Sequence, residues 1–183
     1  MGKSRVDRLA REHDVEVEWR PFEIHPEVPA EGAAPRPGME RLGEQLQRMA
    51  RDEGLEMSRP PFRSNSHLAM VADLFARDRG QQEPYHSNMF KAYWQDHRNI
   101  GQREVVLDVA RESGLDTAEL EKALDNGRYE AEMAAVYDEC GQHGINGVPT
   151  FIIGRYMVVG AQPYEMLERA LTLAEQEEEA PAS

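Results

Sequence analysis

The spacing of apolar residues in this chain switches between a helical period and an alternating one, and the places where it switches constrain the fold most. Val6, Leu9, Ala10 and His13 follow the i, i+3, i+4, i+7 rule, which predicts a helix over residues 3–13. About two residues later the period changes. Val15, Val17 and Trp19 alternate with Glu16, Glu18 and Arg20, the pattern of a strand with one face towards a core. Residues 25–38 carry Pro26, Pro29, Pro35 and Pro37 with Gly32 and Gly38, a density that neither a helix nor a sheet ladder tolerates.

Helical spacing then holds through six segments. Their stripes are Met39/Leu42/Leu46/Met49, Leu68/Val71/Leu74/Phe75, Met89/Phe90/Tyr93/Trp94 and Val105/Val106/Val109/Ala110, then a short helix to Leu124, then Tyr129/Met133/Val136/Tyr137/Cys140. Asp116 with Glu119 reads as a capping box for the fifth. Each stripe is read as core packing, and the Met and aromatic residues are not taken as a cofactor box. At Val148 the period changes again. Thr150–Ile153 and Tyr156–Val159 are short β-branched runs joined by Gly154-Arg155, a hairpin with Gly154 at the first turn position. Pro163 opens a last helix with the stripe Met166, Leu167, Ala170, Leu171 and Ala174.

The order is helix, strand, helical block, hairpin, helix. It predicts one α/β domain over residues 1–183, with residues 39–128 as an all-helical insertion within it. With 183 residues the chain can bury a core without staples, and its one cysteine excludes an internal disulfide framework, a Cys-rich zinc site and an iron–sulfur cluster. A formal charge of −13 argues against nucleic acid as a partner, and the Arg residues at 5, 8, 11, 48 and 51 are interleaved with acids as on a solvated helix face. Glu175, Glu177, Glu178 and Glu179 read as a fraying helix end before a disordered tip. No apolar run is long enough to span a membrane and the N-terminus is charged, so the expectation is a cytoplasmic protein that uses no membrane.

Standard phosphate loops and H-E-x-x-H are absent, and the six histidines show no ligand spacing, so no metal is expected. Cys140 and His143 could face each other and activate a thiol, but Cys140 continues an apolar stripe and reads as a buried structural residue. The distinctive segment is Gly144-Ile145-Asn146-Gly147-Val148-Pro149-Thr150-Phe151, where a proline stands at the mouth of a buried strand. The residues alone leave the isomer of Val148–Pro149 open.

Together with Glu18-Trp19-Arg20-Pro21-Phe22-Glu23-Ile24-His25-Pro26, Asn65-Ser66-His67-Leu68-Ala69, Phe90-Lys91-Ala92-Tyr93-Trp94 and Gly160-Ala161-Gln162-Pro163, that segment resembles the DsbA-like thioredoxin-fold family. The resemblance is to its FrnE-type branch, near the 2-hydroxychromene-2-carboxylate isomerases and kappa-class glutathione transferases, and it runs in order along nearly the whole chain. It implies an α/β thioredoxin fold with Val148–Pro149 as its cis-proline, and a substrate cleft drawing on Val148, Pro149, Thr150, Asn65 and Gln162. The residue before the proline would offer its backbone to an extended peptide, a form of strand addition.

The family opens with a β-strand and C-x-x-C, followed by Gly-Lys or Gly-Arg. Here Gly2-Lys3 match that pair, so the resemblance implies that the first strand and both redox cysteines lie upstream of Met1, through truncation or a misassigned start. No catalytic residue is then expected in this chain. In the family's sheet the missing strand is central, pairing with the strand at 15–22 and with that at 150–153. Unpaired buried amides cost about 1–3 kcal/mol each against a total stability of about 5–15 kcal/mol. The chain alone is therefore expected to be poorly stable or to borrow a strand. The leading functional expectation is a protein thiol–disulfide oxidoreductase, impaired as written, acting on thiol or disulfide proteins. The alternatives are a glutathione-dependent isomerase or transferase, and a non-catalytic peptide-binding module. No cofactor is expected beyond glutathione as a co-substrate, and a homodimer is compatible with the sequence.

Overall fold

The structure, a computed structural model, describes residues 1–178; Glu40 and Glu178 are described by their backbone only. The described residues form eight helices and two strands. In chain order these are α1 (Gly2–Glu12), α2 (Glu40–Asp52), α3 (His67–Arg77), α4 (Gln82–Trp94), α5 (Arg103–Glu112), α6 (Thr117–Asp125), α7 (Glu130–Gln142), β1 (Thr150–Ile153), β2 (Tyr156–Val159) and α8 (Tyr164–Glu178). They divide into two compact units. One holds residues 1–20 and 140–178, the other residues 21–139. The helical unit thus takes in more chain than the predicted insertion at 39–128. No described helix is long and apolar enough to cross a membrane.

In the helical unit, α3 to α6 pack on one another around Leu74, Phe75, Val106, Val109 and Leu120, all without solvent exposure. Local signals set the element ends. The Asp116 carboxylate accepts from the amides of Ala118 and Glu119 and starts α6. The reciprocal half of the predicted capping box is not made, because the Glu119 carboxylate accepts from Arg79 instead. Gly114, at φ 79°, ends α5 by turning left-handed, and the Leu115 amide returns to the Ala110 carbonyl. Two predicted stripes are only partly buried. Phe90 is exposed and stacks on His86, while Tyr85, which the stripe omitted, is buried and donates to the Ala69 carbonyl. Along α2, Met39 and Leu42 are exposed and line, with Leu46, Met57, Arg59 and Trp94, an open cavity of about 140 Å³.

In the α/β unit, β1 and β2 form an antiparallel hairpin with Ile153 opposite Tyr156 and Thr150 opposite Val159. Gly154 has φ 55° and Arg155 has a negative φ, the backbone a type II′ turn requires. Phe151, Ile153, Tyr156 and Val158 face the core made with Leu9 of α1 and Tyr164, Leu167, Ala170 and Leu171 of α8. Met166, predicted in that stripe, is exposed. Ile152, Met157 and Val159 point to the other face and are exposed as well.

The predicted strand at 15–22 is not one. Residues 14–20 carry no regular secondary structure and lie outside the ladder of β1 and β2. Extended backbone becomes strand only through hydrogen bonds to a neighbour, and the described sheet consists of β1 and β2 alone. Val15 still packs against the core of this unit, as its place in the alternation predicts. α8 continues through Glu175 and Glu177 to Glu178, and the predicted disordered tip lies outside the described residues.

Candidate functional site

The loop between α7 and β1 carries the distinctive segment. α7 ends at Gln142, and the Ile145 amide returns to the Cys140 carbonyl. Cys140 is buried, as its place in the apolar stripe predicts, and His143 lies exposed just beyond the helix end. The Val148–Pro149 bond is cis. Val148 is 51% exposed and precedes the β1–β2 ladder, which begins at the Thr150–Val159 pair. The Thr150 hydroxyl donates to the Gly147 carbonyl at 2.8 Å and ties the loop to itself. The Pro149 carbonyl accepts the Gly160 amide at 2.8 Å.

Gln162 completes this corner. Its side-chain amide donates to the Val159 carbonyl at 3.0 Å, its own N–H donates to Gly160, and its carbonyl accepts from Arg5 of α1. Val148, Pro149, Thr150 and Gln162 are thus brought together at one end of the hairpin. Asn65 lies in the helical unit, with both ends of its amide committed there. Its Nδ2 donates to the Val28 carbonyl at 2.7 Å, and its Oδ1 accepts the His67 amide at 2.8 Å, where α3 starts.

The first turn of α1 stands against the same loop. A Cβ placed on Gly2 would lie 3.1 and 3.2 Å from ring carbons of Pro149 and 3.6 Å from the Phe151 ring. A side chain here would press on the proline ring, so glycine suits this close approach. The first turn of α1 carries no acid, and Lys3 pairs with Asp7 at 2.7 Å. The N-terminal end of the helix, where its dipole is positive, thus carries no acid of its own turn. Gly2 was legible as a family match, but its packing role shows only in three dimensions. Nothing in the spacing of residues 2 and 149 brings them together.

A second polar cluster in this unit joins α1 to α8. Tyr164 donates to Glu12 at 2.7 Å, and burial, with Glu12 second, pushes its hydroxyl up to about 12. The hydrogen bond from Arg8 holds the Glu12 carboxyl below its usual range. Glu12, His13 and Glu168 bring ligand atoms within 4.8 Å of one another, although the Arg8 guanidinium already occupies one Glu12 oxygen.

Comparison with known proteins bears on the family and the fold. The family described as DSBA-like thioredoxin domain matches residues 1–172. The uncharacterized protein YwbO of Bacillus subtilis strain 168 is 30% identical over 184 residues, covering 94% of this chain and 88% of its own. The crystal structure of a probable DsbA oxidoreductase from Streptomyces coelicolor superposes with a TM-score of 0.88 at 27% identity, over 100% of this chain and 86% of that one. A 2-hydroxychromene-2-carboxylate isomerase shares the fold, with a TM-score of 0.74 at 20% identity over 98% of this chain and 91% of its own. This chain belongs to the DsbA-like thioredoxin-domain family.

Proposed function

We propose that this chain supplies the docking side of a protein thiol–disulfide oxidoreductase, whose cysteine pair lies in sequence preceding Gly2. The observation that carries the reading is the packing of Gly2 on Pro149. It sets the start of α1 beside the loop in which Val148 is half exposed, so a group joined ahead of the helix would lie next to a peptide lying along that loop. The N-terminus of α1 favours an anion there, and a thiolate at such a place is acidic and reactive. Val148 would offer backbone groups to an extended substrate, Thr150 and Gly160 hold the loop in shape, and Gln162 borders it.

The chemistry is two exchanges. A cysteine thiolate attacks one sulfur of a substrate disulfide and expels the other sulfur as a thiolate. The second cysteine then attacks the mixed disulfide, leaving the enzyme disulfide and a reduced substrate. Insulin reduction tests the reading on two proteins, this chain and the chain extended by its in-frame upstream coding sequence. The extended protein is expected to reduce insulin and this chain is not. A stop codon upstream with no intervening Cys-x-x-Cys, or an inactive extended protein with intact cysteines, overturns it. In the second case a non-catalytic peptide-binding module becomes the better reading. A serine at the first cysteine position would instead favour glutathione-dependent isomerisation.

A further inference from the structure

The helical unit contains a buried carboxylate that its own hydrogen bonds do not account for. Glu23 is 6% exposed, and its Oε1 has no hydrogen-bond partner among the described residues. Its Oε2 accepts from the Tyr137 hydroxyl at 3.2 Å. Nδ1 of His67, on the first turn of α3, faces the same oxygen at 3.5 Å. The other ring nitrogen, Nε2, is 3.0 Å from a carboxylate oxygen of Glu130 on the first turn of α7. A carboxylate only accepts, so Nε2 donates to Glu130, and Nδ1 is the ring atom that faces Glu23.

This pairing is too long for an imidazolium–carboxylate hydrogen bond, which closes to about 2.7–2.9 Å. It does suit two ligands of one ion. Donors each about 2.1 Å from zinc and 3.5 Å apart subtend roughly 110° at the metal, close to the tetrahedral angle. The surroundings also fit. A ligating histidine typically donates its other N–H to a carboxylate, as His67 does to Glu130, and a ligating carboxylate is itself hydrogen-bonded, as Glu23 is by Tyr137. The free Oε1 gives Glu23 a second donor atom for the same ion. The His67 side chain is 32% exposed, which leaves an approach from solvent and open coordination positions for water.

We propose that Glu23 and His67 bind a divalent transition-metal ion, zinc being the one this donor set suits, with Glu130 and Tyr137 positioning the ligands. The spacing of the histidines along the sequence gave no hint of this, because residues 23, 67, 130 and 137 meet only through the fold.

The test is calorimetric titration of the full chain with zinc chloride near neutral pH. One ion per chain with micromolar affinity is expected, together with a shift of the His67 ring resonances in the NMR spectrum. His67→Gln and Glu23→Gln should each weaken binding more than tenfold, and Glu130→Gln by about tenfold or more. Circular dichroism and a thermal melt check that each variant is folded. His67 is partly exposed, so its variant keeps the test open if the buried Glu23 variant fails to fold. His13→Gln with Glu168→Gln should leave the affinity unchanged. Absence of binding at millimolar zinc overturns the proposal. So does binding that survives His67→Gln, or binding lost with His13 and Glu168, which would place the ion at the cluster in the other unit.

Discussion

The two units of this chain solve the same problem with different completeness. In the helical unit every helix satisfies its inner backbone groups by itself, and four helices close a core in which Leu74, Phe75, Val106, Val109 and Leu120 are wholly buried. The α/β unit rests on a hairpin, and a strand satisfies its backbone only through a neighbour. One hairpin face is covered by α1 and α8, whereas Ile152 on the other is 54% exposed, and the described sheet ends at these two strands. Where cohesion is local, the unit is self-sufficient; where it depends on pairing, the unit is open. Amide exchange should therefore be slowest in α3 and α5 and much faster along β1 and β2.

The sharpest way to break that contrast is to truncate one large apolar side chain in each unit. Phe75→Ala or Leu120→Ala removes a side chain with no exposure and should cost about 3–5 kcal/mol in denaturant unfolding. Ile152→Ala should cost less than about 1 kcal/mol, since most of its surface already meets water. If Ile152→Ala proves as costly as Phe75→Ala, a covering element protects that face in solution and the unit is not open.

Within the α/β unit the hairpin turn is the tightest point. A Cβ on Gly154 would lie 2.9 Å from the Ala174 Cβ, and its φ of 55° disfavours any side chain. Gly154→Ala should destabilise by about 1–3 kcal/mol. The loss should be read first in the exchange of β1, β2 and α8, with α3 to α6 unchanged. A uniform loss across both units would show that they unfold as one.

The helical unit has its own weak point, in its charge. Burial raises the Asp73 carboxyl to about 6, and the Gln82 hydrogen bond only partly opposes this. A folded-state value above the unfolded one means that folding favours the protonated form. Stability is fully present below about pH 4, falls as pH rises towards about 6, and stays lower above that. Asp73→Asn removes this cost and should raise stability at pH 8 by about 2 kcal/mol, with little change at pH 4. Urea midpoints at the two pH values decide it, and equal gains at both would assign the effect to packing rather than charge.

What could be read from the sequence follows the same division. Helices and the hairpin were legible because their hydrogen bonds are local, and the Gly154-Arg155 turn and its register follow directly from the residues. The alternation at 15–19 was legible too, but a strand requires a partner that a one-dimensional pattern does not supply. Of the residues that the family resemblance implies for a substrate cleft, Val148, Pro149, Thr150 and Gln162 converge on one corner, while Asn65 spends its amide on backbone in the other unit. The Gly2–Pro149 and Glu23–His67 pairings joined residues far apart in sequence, and no spacing rule reaches them.

The capping box at Asp116 gives the smallest and most local test. The carboxylate of Asp116 holds two amides of α6, at 2.9 and 3.0 Å, while Glu119 is drawn off by Arg79 at 2.8 Å. Half of the motif therefore carries the helix start. Asp116→Ala should cost about 1 kcal/mol, the usual price of an N-cap. Glu119→Gln should cost at most about 0.5 kcal/mol, because it weakens only an exposed ion pair. A Glu119 effect as large as that of Asp116 would mean that the reciprocal bond to the cap amide forms in solution and that the Arg79 contact is the minor arrangement. The two variants lie in the closed unit, so their losses should appear in α6 and leave exchange in the hairpin unchanged.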